Sequence, residues 1–194
     1  MNKRIFFRMM VTVLLSTIAF GTINAQTKQP VGMRMEVAEA ETDHGDYSVF
    51  TYKDTNDDDS FGYYLSVART NKFLEGDEIL GMEVLDIKEF AIWLGDNSDD
   101  ALKTLDSILD LYSKDLDTST EFRGRAVTGS GQLGEPSTTT CSVKKKALGG
   151  KRLMFLFKSG GKQAHAYLTK QVVKELRMEL KLDIKLHPKQ HRKK

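Results

Sequence analysis

Apolar and polar residues alternate along much of the chain, and each alternating stretch predicts a β-strand with one buried face. Polar segments rich in Gly, Ser, Asp or Pro separate these stretches and predict turns or loops, as at 54–60 and 129–138, and the mixed stretch 71–81 is also expected to be a loop. The predicted strands are 33–41, 47–53, 61–67, 84–94, 120–127, 139–145, 152–157 and 163–168. Residues 152–157 are apolar on both faces, which predicts a central strand covered on both sides or a strand beneath a helix.

Two segments instead repeat their apolar residues at intervals of three and four, which predicts amphipathic helices. The first begins near Asn97 or Ser98, either of which can cap a helix. The second follows Thr169 and runs from Lys170 to about Lys181. Residues 182–186 alternate strictly and are therefore expected either to continue the helix or to be extended.

The order of these elements indicates an α+β fold, with a mainly antiparallel sheet of about six to eight strands and two helices packed on one face. Tight hairpins, such as the one expected at Gly160-Gly161, dominate over strand–helix alternation. We expect a single domain over residues 26–186 and a basic disordered tail over 187–194.

Residues 1–25 have the three parts of a secretory signal peptide. Lys3, Arg4 and Arg8 precede an apolar stretch at 9–20, which is shorter than the roughly 20 residues needed to span a bilayer. Cleavage after Ala25 would release the protein to the periplasm or the extracellular space, with no transmembrane segment remaining. An uncleaved N-terminal anchor is the alternative.

Removal of this segment changes the charge of the chain. The full sequence carries 29 basic and 27 acidic residues, a net charge of +2. Without the three basic residues of the signal, the chain has 26 basic and 27 acidic residues, a net charge of −1. A nucleic-acid-binding protein normally has a strong basic excess, so we expect no nucleic-acid partner.

The chain has one cysteine, Cys141, and therefore no internal disulfide. Its position within a predicted strand indicates a buried, unreactive thiol, with an intermolecular disulfide as the alternative. About 169 residues remain after cleavage, enough for a core without disulfides.

Two segments match part of the sequence pattern of a ligand-binding motif but lack other residues or flanking elements that the motif requires. Residues 54–60 begin like a calcium loop, but Asp59 and Leu65 replace the glycine and the bidentate glutamate that the loop requires. A hairpin loop with solvated carboxylates explains the sequence, and calcium binding stays open. The glycines of 129–134 match a dinucleotide-binding pattern, yet no helix follows to receive a phosphate.

No set of residues predicts catalysis, a metal site or a cofactor. The sequence lacks a nucleophile elbow, and the four histidines (44, 165, 187 and 191) are scattered. A site that assembles only in the folded protein, from an aspartate with His165 and Tyr167, is the remaining route to an enzyme.

Basic and aromatic residues recur on the outward side of three predicted strands. If these strands are neighbours, they form one basic face opposite the helices, suited to a carboxylate, a sulfate or an acidic glycan. An ordinary solvated sheet face is the alternative. The candidate ligand-binding residues are Arg123, Arg125, Lys144, Lys146, His165 and Tyr167.

Together these features favour an exported, non-enzymatic binding or accessory protein of the bacterial periplasm or cell surface. Its partner would be an anionic ligand or an envelope protein. A small secreted hydrolase is the alternative. The basic C-terminal tail is expected either to contact anionic lipid headgroups or to be a solvated end.

Overall fold

The computed structural model describes residues 32–42, 45–54, 61–68, 89–127, 131–147, 149–159 and 162–191. All of these lie in one compact unit, Gly32–Lys194. The predicted signal peptide, the loop 71–81 and residues 55–60 lie outside the described residues. The strands are β1 (Gly32–Thr42), β2 (Gly45–Asp54), β3 (Gly62–Ala68), β4 (Glu89–Gly95), β5 (Ser119–Val127), β6 (Leu133–Lys145), β7 (Lys151–Ser159) and β8 (Lys162–Leu168), and the helices are α1 (Ser98–Leu111) and α2 (Lys170–Leu186).

The strands form a single meander in which each strand pairs antiparallel with its neighbour in sequence, in the order β1 to β8. Both helices pack on one face of this sheet, which we call the inner face. The predicted α+β class is thus confirmed, with eight strands in the described residues.

The main core lies between the inner face and the helices. Each strand contributes alternate residues to it, so the period of two read from the sequence corresponds to real burial. The aromatic rings of Phe90 and Phe157 stack at 5.4 Å near its centre. The largest fully buried side chains are Tyr63, Phe50, Phe90, Phe155, Phe157, Leu65, Ile92, Leu94, Leu105, Ile108, Leu153 and Leu168, and all except Phe50 belong to this core.

Two tyrosine hydroxyls show that the sheet curls around its helices. Tyr47 on β2 donates a hydrogen bond to the carbonyl of Tyr167 on β8, at 3.0 Å. In a flat sheet these strands, six positions apart, would be separated by about 29 Å. Tyr112, at the end of α1, donates to the carbonyl of Leu168 at 2.8 Å. The outer face is therefore convex.

The helices begin at the predicted caps. The side chain of Asn97 accepts a hydrogen bond from the backbone N–H of Asp100 at 2.9 Å. Thr169 accepts from the N–H of Val172 at 3.4 Å. Both contacts satisfy N–H groups that the first turn of a helix leaves without partners.

Two segments differ from the sequence expectations, at 133–138 and 187–191, and the structure decides the conformation of 182–186, which the sequence left open. Residues 133–138 belong to β6 rather than to a loop. Pro136 is accommodated because β7 pairs with β6 only from Thr138 onward, so no hydrogen bond is needed on that side. Residues 182–186 are helical. Residues 187–191, expected in a disordered tail, form turns, and His191 is buried.

Candidate functional site

A small apolar cluster lies on the outer face, on the opposite side of the sheet from the helices. Phe50, Tyr52, Tyr64, Ala91, Val127 and Leu133 are buried in it, and Trp93 packs against it. Phe50 and Tyr64 stack at 5.6 Å. Two of the candidate residues, Arg123 and Arg125, lie beside Tyr64 and Trp93 of this cluster.

The strand register places five of the six candidate residues on the outer face. Arg123 and Arg125 lie on β5, Lys144 on β6, and His165 and Tyr167 on β8. Each of them is out of phase with the buried inner residues of its strand. The sixth candidate, Lys146, follows β6 in a turn, where its N–H donates to the carbonyl of Gly150 at 3.0 Å.

These residues form two groups rather than one site. Arg123 pairs across the sheet with Thr138 on β6, whereas Lys144 lies six residues further along the same strand. At about 3.3 Å per residue, the two groups are about 20 Å apart. A small anion therefore cannot contact both groups.

The first group surrounds a recess in the outer face. Its walls come from three strands and the start of β6: Tyr64, Trp93, Arg123, Gly124, Arg125 and Pro136. The guanidinium carbon of Arg123 lies 4.8 Å from the centroid of the Trp93 ring, within range of a cation–π interaction. We call this group of residues the outer recess.

The arginines of the outer recess keep their charges available. Within the described part of the chain, no salt bridge involves Arg123 or Arg125. Arg34, on the same face, differs because Glu36 and Glu89 each lie 3.0 Å from its guanidinium. Two arginines without a carboxylate partner provide a positive potential for an incoming anion.

Tyr64 adds a neutral hydroxyl to the recess. Burial raises the pKa of Tyr64 above its ordinary value, although the charges of Arg125 and Arg123 act to lower it. The hydroxyl therefore stays protonated at neutral pH and is able to donate a hydrogen bond.

The second group, which contains Lys144, His165 and Tyr167, lies near the other end of β6, and its positive charge is partly neutralised by a carboxylate. Lys144 forms a salt bridge with Asp117 at 2.6 Å. Arg152 on β7 lies directly opposite Lys144 and stacks over the ring of Tyr167 at 3.8 Å. The rings of His165 and Tyr167 are in edge contact at 5.9 Å.

Four residues of these two groups were not predicted from the sequence: Tyr64, Trp93, Pro136 and Arg152. Trp93 carried a usable signal, because it alternates with the core residues Phe90, Ile92 and Leu94 and so had to face away from them. Its neighbours on adjacent strands depend on register, which alternation alone does not give.

The folded protein does contain a hydrogen-bonded series of an aspartate, a histidine and a tyrosine, but these residues are Asp183, His191 and Tyr63 and do not include His165 or Tyr167. His191 accepts or donates through Nδ1 to the hydroxyl of Tyr63 at 2.7 Å and through Nε2 to Asp183 at 2.8 Å. His187 contacts the other oxygen of Asp183 at 2.7 Å. Tyr63 is fully buried and His191 is 6% exposed, so a substrate cannot reach the hydroxyl.

The electrostatics of Tyr63 agree with a structural role. Burial, and secondarily the charge of Asp183, raise the pKa of Tyr63 to about 12. The tyrosinate is thus disfavoured, and the hydroxyl is a poor nucleophile or base at neutral pH. The contacts tie the end of α2 and the following turns to β3.

The remaining chemical candidates are limited. Cys141 is fully buried, and burial raises its pKa to about 12, which disfavours the reactive thiolate. No cluster of three or more His, Cys, Asp or Glu side chains suited to a metal occurs among the residues that the structure covers. The loop residues 55–60, three of which are aspartates, lie outside the described part of the chain, and calcium binding there stays a prediction.

No protein-family model matches this chain, nor does any curated protein or solved structure. Neither of the two described helices is long and apolar enough to cross a membrane.

Proposed function

We propose that this protein is an exported, non-enzymatic binding protein of the bacterial periplasm or cell surface that holds an acidic glycan on the outer face of its sheet. The observation that carries this proposal is the outer recess, where Arg123 and Arg125 flank Trp93 and Tyr64. The proposed location rests on the sequence of residues 1–25 alone.

The recess combines the two interactions that an acidic sugar requires. Guanidinium groups donate paired hydrogen bonds to carboxylate or sulfate oxygens, and charge-assisted bonds are about twice as strong as neutral ones. The partly buried ring of Trp93 provides apolar surface for the non-polar side of a sugar ring. A small inorganic anion would use the arginines but leave the aromatic surface unused.

The spacing of the two groups on the outer face favours an extended ligand. A polyanion that starts at Arg123 and follows β6 would reach Lys144 and Arg152 after about 20 Å. Lys144 already has Asp117 as a partner, so we expect the outer recess to contribute most of the affinity.

The proposal can be tested by fluorescence, because Trp93 is the only tryptophan in the chain and lies in the outer recess. Dextran sulfate and polygalacturonate serve as sulfated and carboxylated probes, with neutral dextran as their matched control. We expect saturable changes in Trp93 fluorescence with at least one acidic polymer and none with neutral dextran.

Variants distinguish binding at the outer recess from a general attraction between the acidic polymer and the positive charges of the protein. Arg123→Gln and Arg125→Gln should each weaken binding about tenfold, because a hydrogen bond to a charged group contributes about 1.5–3 kcal/mol. Lys103→Gln, an exposed site on α1, should leave binding unchanged. Equal binding by the double arginine variant, or no binding of either acidic polymer, would contradict the proposal.

Export is tested separately. Intact-mass analysis of the protein from fractionated cells should give a chain that begins at Gln26 outside the cytoplasm. Recovery of the chain with Met1 from the soluble interior would contradict the proposed location and leave the binding result unaffected.

A further inference from the structure

Helix α2 carries a second apolar surface in addition to the one that it buries. Met178, Leu182 and Leu186 follow one another at four-residue intervals and are 61%, 49% and 62% exposed. They form a stripe about 12 Å long that points away from the sheet. The residues packed on the sheet are Val172, Val173, Leu176 and Leu180.

Lysines accompany this stripe along one flank. At 3.6 residues per turn, Lys174, Lys181 and Lys185 lie beside it, and all three are exposed. None of them takes part in a salt bridge among the residues described. Acidic residues lie on the other flank, at Glu175, Glu179 and Asp183.

The surrounding sequence increases the positive charge. Residues 170–194 contain nine basic and three acidic side chains, and the four basic residues after α2 all lie close in sequence to Leu186. By contrast, the whole chain has a net charge of only +2. The exposed apolar stripe therefore lies in a segment with an excess of positive charge.

We propose that α2 binds the surface of an anionic lipid bilayer. The helix would lie parallel to the membrane, with Met178, Leu182 and Leu186 inserted shallowly among the acyl chains and the lysines at the lipid phosphates. A helix with exposed apolar side chains and flanking lysines is the usual form of an interfacial anchor. An anionic surface complements the lysines and accepts the apolar side chains at the same time.

This orientation leaves the outer recess accessible. Helix α2 lies on the inner face of the sheet, whereas Trp93, Arg123 and Arg125 lie on the outer face. A membrane-bound protein would thus present the recess away from the bilayer. The two proposals use different residues, and either can fail without the other.

Vesicle flotation tests the inference, using the protein as cells accumulate it and with the N-terminus of every variant verified by mass. One set of vesicles contains equal parts phosphatidylglycerol and phosphatidylcholine, and the other contains phosphatidylcholine alone. We expect binding to the anionic vesicles, weaker binding at high salt, and much weaker binding to the neutral vesicles.

Variants identify the surface responsible. Since one lysine near an anionic membrane changes the affinity about fivefold, replacing Lys174, Lys181 and Lys185 with glutamine should reduce partitioning by at least tenfold. A triple serine variant of the apolar stripe should produce a similar loss. The matched control for the stripe is Leu116→Ser, at a side chain 47% exposed.

A second control replaces three exposed lysines away from α2, at positions 103, 114 and 145. Circular dichroism verifies folding, and a single Leu182→Ser substitution is available if the triple variant is unstable. Partitioning that is unchanged in both α2 variants would overturn the inference. So would a homodimer in sedimentation analysis that the serine variant converts to monomer without any vesicle binding by the parent.

Discussion

Replacing Gly124 with alanine places a methyl group in space that the core already occupies. A Cβ atom built on Gly124 lies 2.2 Å from Oγ1 of Thr139 and 3.1 Å from the ring of Phe157. Both neighbours are fully buried. The hydroxyl of Thr139 is also one of two buried side-chain polar atoms without a hydrogen-bond partner in the described part of the protein.

These contacts set the expected energies. Overpacking of a core typically costs about 1–3 kcal/mol, and we expect Gly124→Ala to fall in this range. Thr139→Ala should change stability by less than about 1 kcal/mol, because removing an unpartnered hydroxyl offsets the lost methyl contact. The double variant should recover about 1–2 kcal/mol relative to the sum of the single effects.

Urea unfolding followed by the fluorescence of Trp93 measures all four proteins of this cycle. The control is Gly134→Ala, where the nearest atoms to the added Cβ lie at 3.5 and 3.8 Å and little change is expected. A Gly124→Ala variant as stable as the parent, or a double variant without recovery, would refute the packing argument.

Three further outcomes are expected. His191→Ala should destabilise the protein by about 1–3 kcal/mol, since it removes the imidazole that hydrogen-bonds the buried hydroxyl of Tyr63, whereas His187→Ala, at an exposed side chain, should have a smaller effect in the same urea assay. Burial raises the pKa of Cys141 from 9.0 to about 12, so its contribution to stability is complete below pH 9 and is lost as the pH rises towards 12, by about 1.4 kcal/mol per unit. Cys141→Ala should flatten this decline, and an equally steep decline would contradict the assignment. A thiol reagent should label Cys141 only on unfolding, and rapid labelling of the native protein would show that the thiol is accessible.

The order of strands and helices was predictable because alternation and capping are local signals. The exceptions have identifiable physical causes. Residues 133–138 pair with β5, and that tertiary pairing overrides their loop-like composition. The end of α2 imitates a strand because Leu182 and Leu186 are exposed while Leu180 and Ile184 face the core, which gives apolar residues at every second position.

The candidate site was only partly predictable for the same reason. Alternation gave the correct sheet face for Arg123, Arg125 and Lys144, but their distance along the strands depends on hairpin register. The sequence therefore suggested one basic face where the fold forms two separate groups. Whether either group binds a ligand stays a prediction.

The meander has a consequence for how the chain is made. Neighbouring strands are also close in sequence, so hairpins from β1 onward are able to form early during synthesis. Yet α2, which covers β1 and part of β2, is translated after all eight strands. A nascent or truncated chain that lacks this helix exposes the apolar side of its first strands, and would depend on chaperones or aggregate until α2 has been made.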